Sequence, residues 1–240
     1  MTHKFSRYMI LAISALGLSA LPALADSACP ADALLSTYLT AGYSCYIGDL
    51  DFANFSYTNG SSNPPAPTPA TSVSVFADNS ASGIGFTFDS SWTASGANNF
   101  SDGDIGFTVS IVGGGSATLD DAALIETGGI IGTGSSASVG EFGCSNPAPP
   151  ASCSQQWALL TAYTSNDTIG EAGVIYSPTG EISVSKDIVA QDGSGANSYA
   201  TVSTVQDLFS TIPEPSSLPL LLGFGLAAGI ALKKKLSAKS

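Results

Sequence analysis

Apolar and polar residues alternate along this chain with a period of two. Ile84, Phe86 and Phe88 alternate with Gly85 and Thr87; Ile105, Phe107, Val109 and Ile111 alternate with Gly106, Thr108 and Ser110. That period turns one set of side chains into a core and the other towards water, so both stretches read as half-buried strands. Val73, Val75 and Ala77 form a similar run, and further strands are predicted over 117–127, 136–142, 157–164, 173–176, 182–189 and 199–205. The aromatic-rich stretch from Cys45 to Tyr57 breaks alternation at Leu50, Phe52 and Ala53, which predicts a strand with a bulge or bend. Turn signals lie between the strands: Asp102-Gly103, Gly113-Gly114-Gly115, Gly128-Gly129, Ser177 to Gly180, and Asp192-Gly193. Pro64, Pro65, Pro67 and Pro69 make 59–70 a loop. Helical spacing occurs once in the body, where Leu34, Leu35, Tyr38 and Leu39 predict a short helix within Pro30–Thr40 that stops at Gly42. The expectation is an all-β fold, an antiparallel β-sandwich of jelly-roll-like kind with a short N-terminal helix.

The two ends follow a different pattern. Lys4 and Arg7 precede an apolar run from Met9 to Leu21, and Ala23-Leu24-Ala25 is an A-x-A cleavage site ahead of Asp26. A run of that length is short for a spanning helix, which needs about 20 residues. It reads as a signal peptide, 1–25, for signal peptidase. At the other end Pro213-Glu214-Pro215 precedes an apolar stretch, Leu218 to Leu232, closed by Lys233, Lys234, Lys235 and Lys239. As a helix that stretch spans about 22 Å, less than the roughly 30 Å of a bilayer's hydrocarbon core. It is expected to be a single transmembrane helix of marginal length, with its lysines on the cytoplasmic side as a stop-transfer cluster. The domains are therefore 1–25, an extracellular body 26–210, and a tail 211–240 with its basic end at 233–240.

Processing of the N-terminus removes His3, the only histidine. The body then has no imidazole for Ser-His-Asp or Cys-His catalysis or for a His-ligated metal. Its only base is Lys186, set against every acidic residue of the chain except Glu214. Such a surface repels nucleic acid and anionic lipid. Cys29, Cys45, Cys144 and Cys153 form an even set in an exported chain and read as disulfides, with Cys29–Cys45 and Cys144–Cys153 the chosen pairing among three. Neither pair has the C-x-x-C spacing of a zinc site.

The tail's three parts, in order over Pro213–Ser240, resemble the PEP-CTERM sorting signal. Tails of this type are also labelled ice-binding-protein C-terminal domains, but the body lacks the regular Thr-x-Thr array of an ice-matching face. The resemblance implies that an exosortase-like membrane protease recognises Pro213, Glu214 and Pro215 and cleaves nearby. The protein would be held transiently in the membrane and then lie on the cell surface or outside the cell. Gly42–Asp49 with Phe52–Tyr57, and Ile182–Ile188, resemble the start and last part of an exported domain that travels with this tail. That likeness implies location and fold but no chemistry.

Candidate chemistry is sparse. The close carboxylate pairs are Asp49 and Asp51, Asp102 and Asp104, and Asp120 and Asp121. A glycosidase needs two such groups across a cleft; the plainer reading is solvated turn residues. No cofactor is expected. Calcium is the one metal considered, with Asp102 and Asp104 in an acidic turn as its ligands. Trp92, Trp157 and Tyr163 are candidates for stacking on sugar rings, against the commoner use of such residues in core packing. Lys186 beside Asp187 raises the question of an isopeptide bond, which needs a buried Lys–Asn/Asp pair with an acid nearby; the plainer reading is a salt bridge. The reading as a whole is a non-enzymatic surface or matrix protein that binds exopolysaccharide. Its rival is a secreted carbohydrate-active enzyme using paired carboxylates.

Overall fold

The computed structural model describes residues 27–62, 65–114, 117–144, 155–165 and 167–212. The predicted signal peptide with Ala23, Ala25 and Asp26, the loop containing Cys153, and the tail from Pro213 with its apolar stretch and four lysines lie outside these residues. Among the described residues no helix is long and apolar enough to cross a membrane.

The described chain is almost entirely strand. Its elements are β1 (Ser27–Ala28), β2 (Asp32–Leu34), α1 (Leu35–Tyr38), β3 (Ser44–Ile47), β4 (Leu50–Ser61), β5 (Ser74–Ser80), β6 (Gly83–Gly96) and β7 (Phe100–Ile111). They continue with β8 (Thr118–Ile131), β9 (Ser136–Cys144), β10 (Gln155–Thr164), β11 (Thr168–Ile169), β12 (Glu171–Thr179), β13 (Glu181–Gln191) and β14 (Ser198–Ile212). One sheet has the order β1-β3-β4-β7-β13-β9-β10-β11, the other β12-β8-β14-β6-β5-β2. Pairing is antiparallel except between β1 and β3. Inward residues of both sheets share one core, in which aromatic rings meet edge to face: Phe52 and Phe86 lie 4.7 Å apart, Phe107 and Phe209 6.2 Å. Tilted ring pairs of this kind add to what area burial alone supplies.

Several sequence expectations are corrected. The helix shrinks to one turn, because Asp32–Leu34 pairs with β5 instead; a four-residue helix cannot repay its nucleation and is held by burial of Leu35 and Tyr38. The Cys45–Tyr57 stretch is a hairpin, with Ile47 paired to Leu50 across Gly48-Asp49. The predicted bulge is present between Ala53 and Ser56, with Asn54 at φ 55°. Asp102-Gly103 and Gly128-Gly129 are not turns but lie within β7 and β8. Gly103 is there for clearance: a Cβ on it would stand 2.6 Å from Trp92 Nε1.

Candidate functional site

Lys186 lies on β13 between Val184 and Ile188 in the inward row, and it is completely buried. Its register partner on β9 is Glu141, which is also inward and buried. Across the core, β14 brings in Asp207 between Val205 and Phe209. Lys186 Nζ contacts Asp207 Oδ2 directly and lies 3.5 Å from Glu141 Oε2, with all three side chains at 0% exposure. The ammonium also sits 4.4 Å from the centre of the Phe107 ring and 5.4 Å from that of Phe88. The body's single base therefore bridges the two sheets in a fully buried, aromatic setting.

Charge balance shapes this cluster. Two carboxylates beside one ammonium leave a net negative charge in a medium that opposes it. Burial, and then the neighbouring Asp207 carboxylate, push the Glu141 carboxyl well above its ordinary range, and Lys186 offsets this only in part. Burial therefore favours the neutral form of the Glu141 carboxyl. Sequence reading paired Lys186 with Asp187; that is corrected, because Asp187 is next in the strand and points outward, opposite Asp104. The missed partners were visible in the alternation, since Glu141 shares its phase with Ala137 and Val139, and Asp207 with Val205 and Phe209.

The other predicted sites are dispersed. Asp102 and Asp104 project from the outer face of β7 rather than from a turn, and Asp104 accepts a hydrogen bond from Thr58 Oγ1 at 3.0 Å. Among the described residues no three acidic, cysteine or histidine side chains are placed to hold a metal ion. Asp120 is the residue skipped at an irregularity of β8, where Thr211 pairs with Leu119 and Ser210 with Asp121. Asp49 occupies the β3–β4 turn, Asp51 the following strand. Trp92 is fully buried and donates to Tyr57 Oη at 3.2 Å; Trp157 is buried and stacked on Tyr176. Tyr163 is half-buried and donates to the Glu126 carbonyl at 2.9 Å. These three are packing residues, so the sugar-stacking assignment is withdrawn. Cys29 and Cys45 are bonded. Cys144 is disulfide-bonded too, and its predicted partner Cys153 lies outside the described residues.

β14 ends at Ile212. Ile212 pairs with Thr118, and Thr211 Oγ1 donates to Asp49 Oδ2 at 3.0 Å. Here the core strand gives way to the sequence beginning at Pro213, and the family model of the PEP-CTERM protein-sorting motif matches residues 211–235. The chain carries a PEP-CTERM sorting signal. The PEP-CTERM motif thus begins on the last two residues of a central strand. No curated protein matches the chain in sequence. Among solved structures, that of TmCBM61 in complex with beta-1,4-galactotriose is similar at 8% identity and a TM-score of 0.32, over 64% of this chain and 88% of that one. A likeness at that level carries no argument about fold or ligand.

Proposed function

We propose that this is a non-enzymatic surface or matrix protein, exported as a jelly-roll-like sandwich and released through its C-terminal signal. The observation that carries the reading is the PEP-CTERM motif over 211–235, joined to the end of β14. Each proline of Pro213-Glu214-Pro215 lacks a backbone N–H and restricts the residue before it, so the segment favours an extended peptide. Such a peptide next to a short apolar stretch is a suitable substrate for an exosortase-like membrane protease. The four lysines fix the direction of the stretch in the membrane, with the body outside.

The finer part of the proposal is that the exported body binds exopolysaccharide. Support comes from hydroxyl pairs on the outer face of the β6–β14–β8 sheet: Thr93 with Thr201, Ser91 with Thr93, and Thr127 with Thr204. A hydroxyl-rich face without basic residues suits a polyhydroxylated, uncharged chain better than a nucleic acid.

The test is replacement of Pro213, Glu214 and Pro215 by Ala in the native cell. The mature wild-type protein is expected to lack Leu218–Ser240, and the variant to stay membrane-bound and heavier by that segment. Finding Lys239-Ser240 on the fully matured wild-type protein would make the tail a permanent anchor and overturn the reading. A glycan array probed with the mature protein tests the ligand separately.

A further inference from the structure

We infer that Lys186 and Asp207 form an intramolecular isopeptide bond, with Glu141 as the proton relay. The geometry supplies each requirement of the reaction. Nucleophile and electrophile are already in contact, Lys186 Nζ against Asp207 Oδ2. Each side chain is fixed by its strand, so the usual entropic cost of bringing amine and carboxyl together is met by folding. A third group, Glu141, stands 3.5 Å from the nitrogen. Phe88 and Phe107 close over the amine and keep out the water that would oppose condensation.

The step balances without any outside reagent. One proton passes from the Lys186 ammonium to the paired carboxylate, giving a free amine beside a carboxylic acid; burial favours this neutral pair over two separated charges. The amine lone pair attacks Asp207 Cγ to form the Nζ–Cγ bond. Glu141, entering in its neutral form, gives its proton to the departing hydroxyl and then takes the second proton from nitrogen. The Cγ–O bond breaks, one water leaves, and Glu141 is regenerated. Nothing is oxidised or reduced. The raised proton affinity of Glu141, caused by burial and by Asp207, suits a group that must both give and take a proton.

An ordinary ion pair is the alternative, and it is less apt here. A buried pair seldom stabilises a fold more than apolar side chains would. In this body, however, the only base is placed at 0% exposure between two acids, where an amide would relieve the charge altogether.

The bond makes an unusual prediction about proteolysis. Lys186 is the body's only trypsin site, and an acylated lysine is not cut. The full chain, purified after folding, reduced and denatured, should resist cleavage at Lys186. The mass of this reduced chain should be lower than the sequence mass by one water, and a branched peptide should join Lys186 to Asp207. Glu141→Gln should fold, as judged by circular dichroism, yet keep the missing water and be cut at Lys186. Asp207→Ala, examined by mass alone in the denatured state, should also be linear. A wild-type chain of full mass that is cut after Lys186 overturns the bond. Cross-linking of Glu141→Gln as complete and as fast as wild type overturns the relay. Both readouts are independent of whether the tail has been removed.

Discussion

Glu126 shares the inward row of β8 with Ala122 and Leu124, and its carboxyl is buried. Burial pushes it above its ordinary 4.5, while Thr161 and the Val139 backbone pull partly back. The folded state therefore holds a proton that the unfolded chain has already released just above pH 4.5. Stability from that proton is complete below the unfolded value and is lost as pH rises through the folded one. Glu126→Gln keeps the shape without the charge. The variant should melt higher than wild type near neutrality, with the difference vanishing near pH 4.5; equal melting temperatures at both pH values would show that the carboxylate costs nothing where it lies. Glu126, Glu141, Lys186 and Asp207 all occupy the apolar phase of their strands, so their burial was legible from alternation alone. Which of them meet was not, because the approach of Asp207 to the other two depends on how the sheets stack. The tryptophans were harder to place: an indole has the same alternation whether it covers a glycine, as Trp92 covers Gly103, or a sugar.

The edge of the larger sheet is held by chemistry rather than by strand length. β1 has two residues and pairs only with β3, and the Cys29–Cys45 bond fastens it there, aided by the Cys29 amide donating to the Tyr46 carbonyl at 2.9 Å. A bridge closing a loop of this size contributes about 3 kcal/mol. The Cys29→Ser/Cys45→Ser double variant should shift the urea midpoint down by an amount near that value. An unchanged midpoint would mean that β1 adds nothing to the cooperative unit. Strands themselves were well foreshadowed where β-branched and aromatic residues alternate, as in β7 and β13. Their ends were not. β6 runs on through Trp92 to Gly96, and β8 through Gly128 and Gly129 to Ile131, past residues that usually signal turns. Gly128 is needed because a Cβ there would meet the Thr201 carbonyl at 2.5 Å, so it records a close approach of strands and not a reversal of the chain. Local sequence cannot separate these two uses of glycine. The predicted helix is shortened to one turn for a similar reason: the residues before it had a better partner in β5, distant in sequence.

Taken whole, the molecule separates what it needs for folding from what it needs for sorting at one point in the chain, the end of β14. This strand is paired along both sides, to β6 and to β8, and supplies Val205, Asp207 and Phe209 to the core. Beyond Ile212 the sequence changes to the proline-flanked motif and its apolar stretch, whose match to the sorting family begins at 211. Cleavage in the Pro-Glu-Pro region would leave every described strand intact, whereas a cut a few residues earlier would shorten a central strand. The last strand matters for the Lys186 cluster as well: without it Lys186 loses Asp207, the carboxyl in direct contact with its side-chain nitrogen. A chain ending at Ile212 should thus match the mature protein in far-ultraviolet circular dichroism and melting temperature. A chain ending at Ser203 should lose its cooperative transition and be degraded rapidly by a non-specific protease. A cooperative melt at the wild-type temperature in the Ser203 chain would show that β14 is dispensable, and that the force or cleavage applied at the tail acts on a strand the core can release.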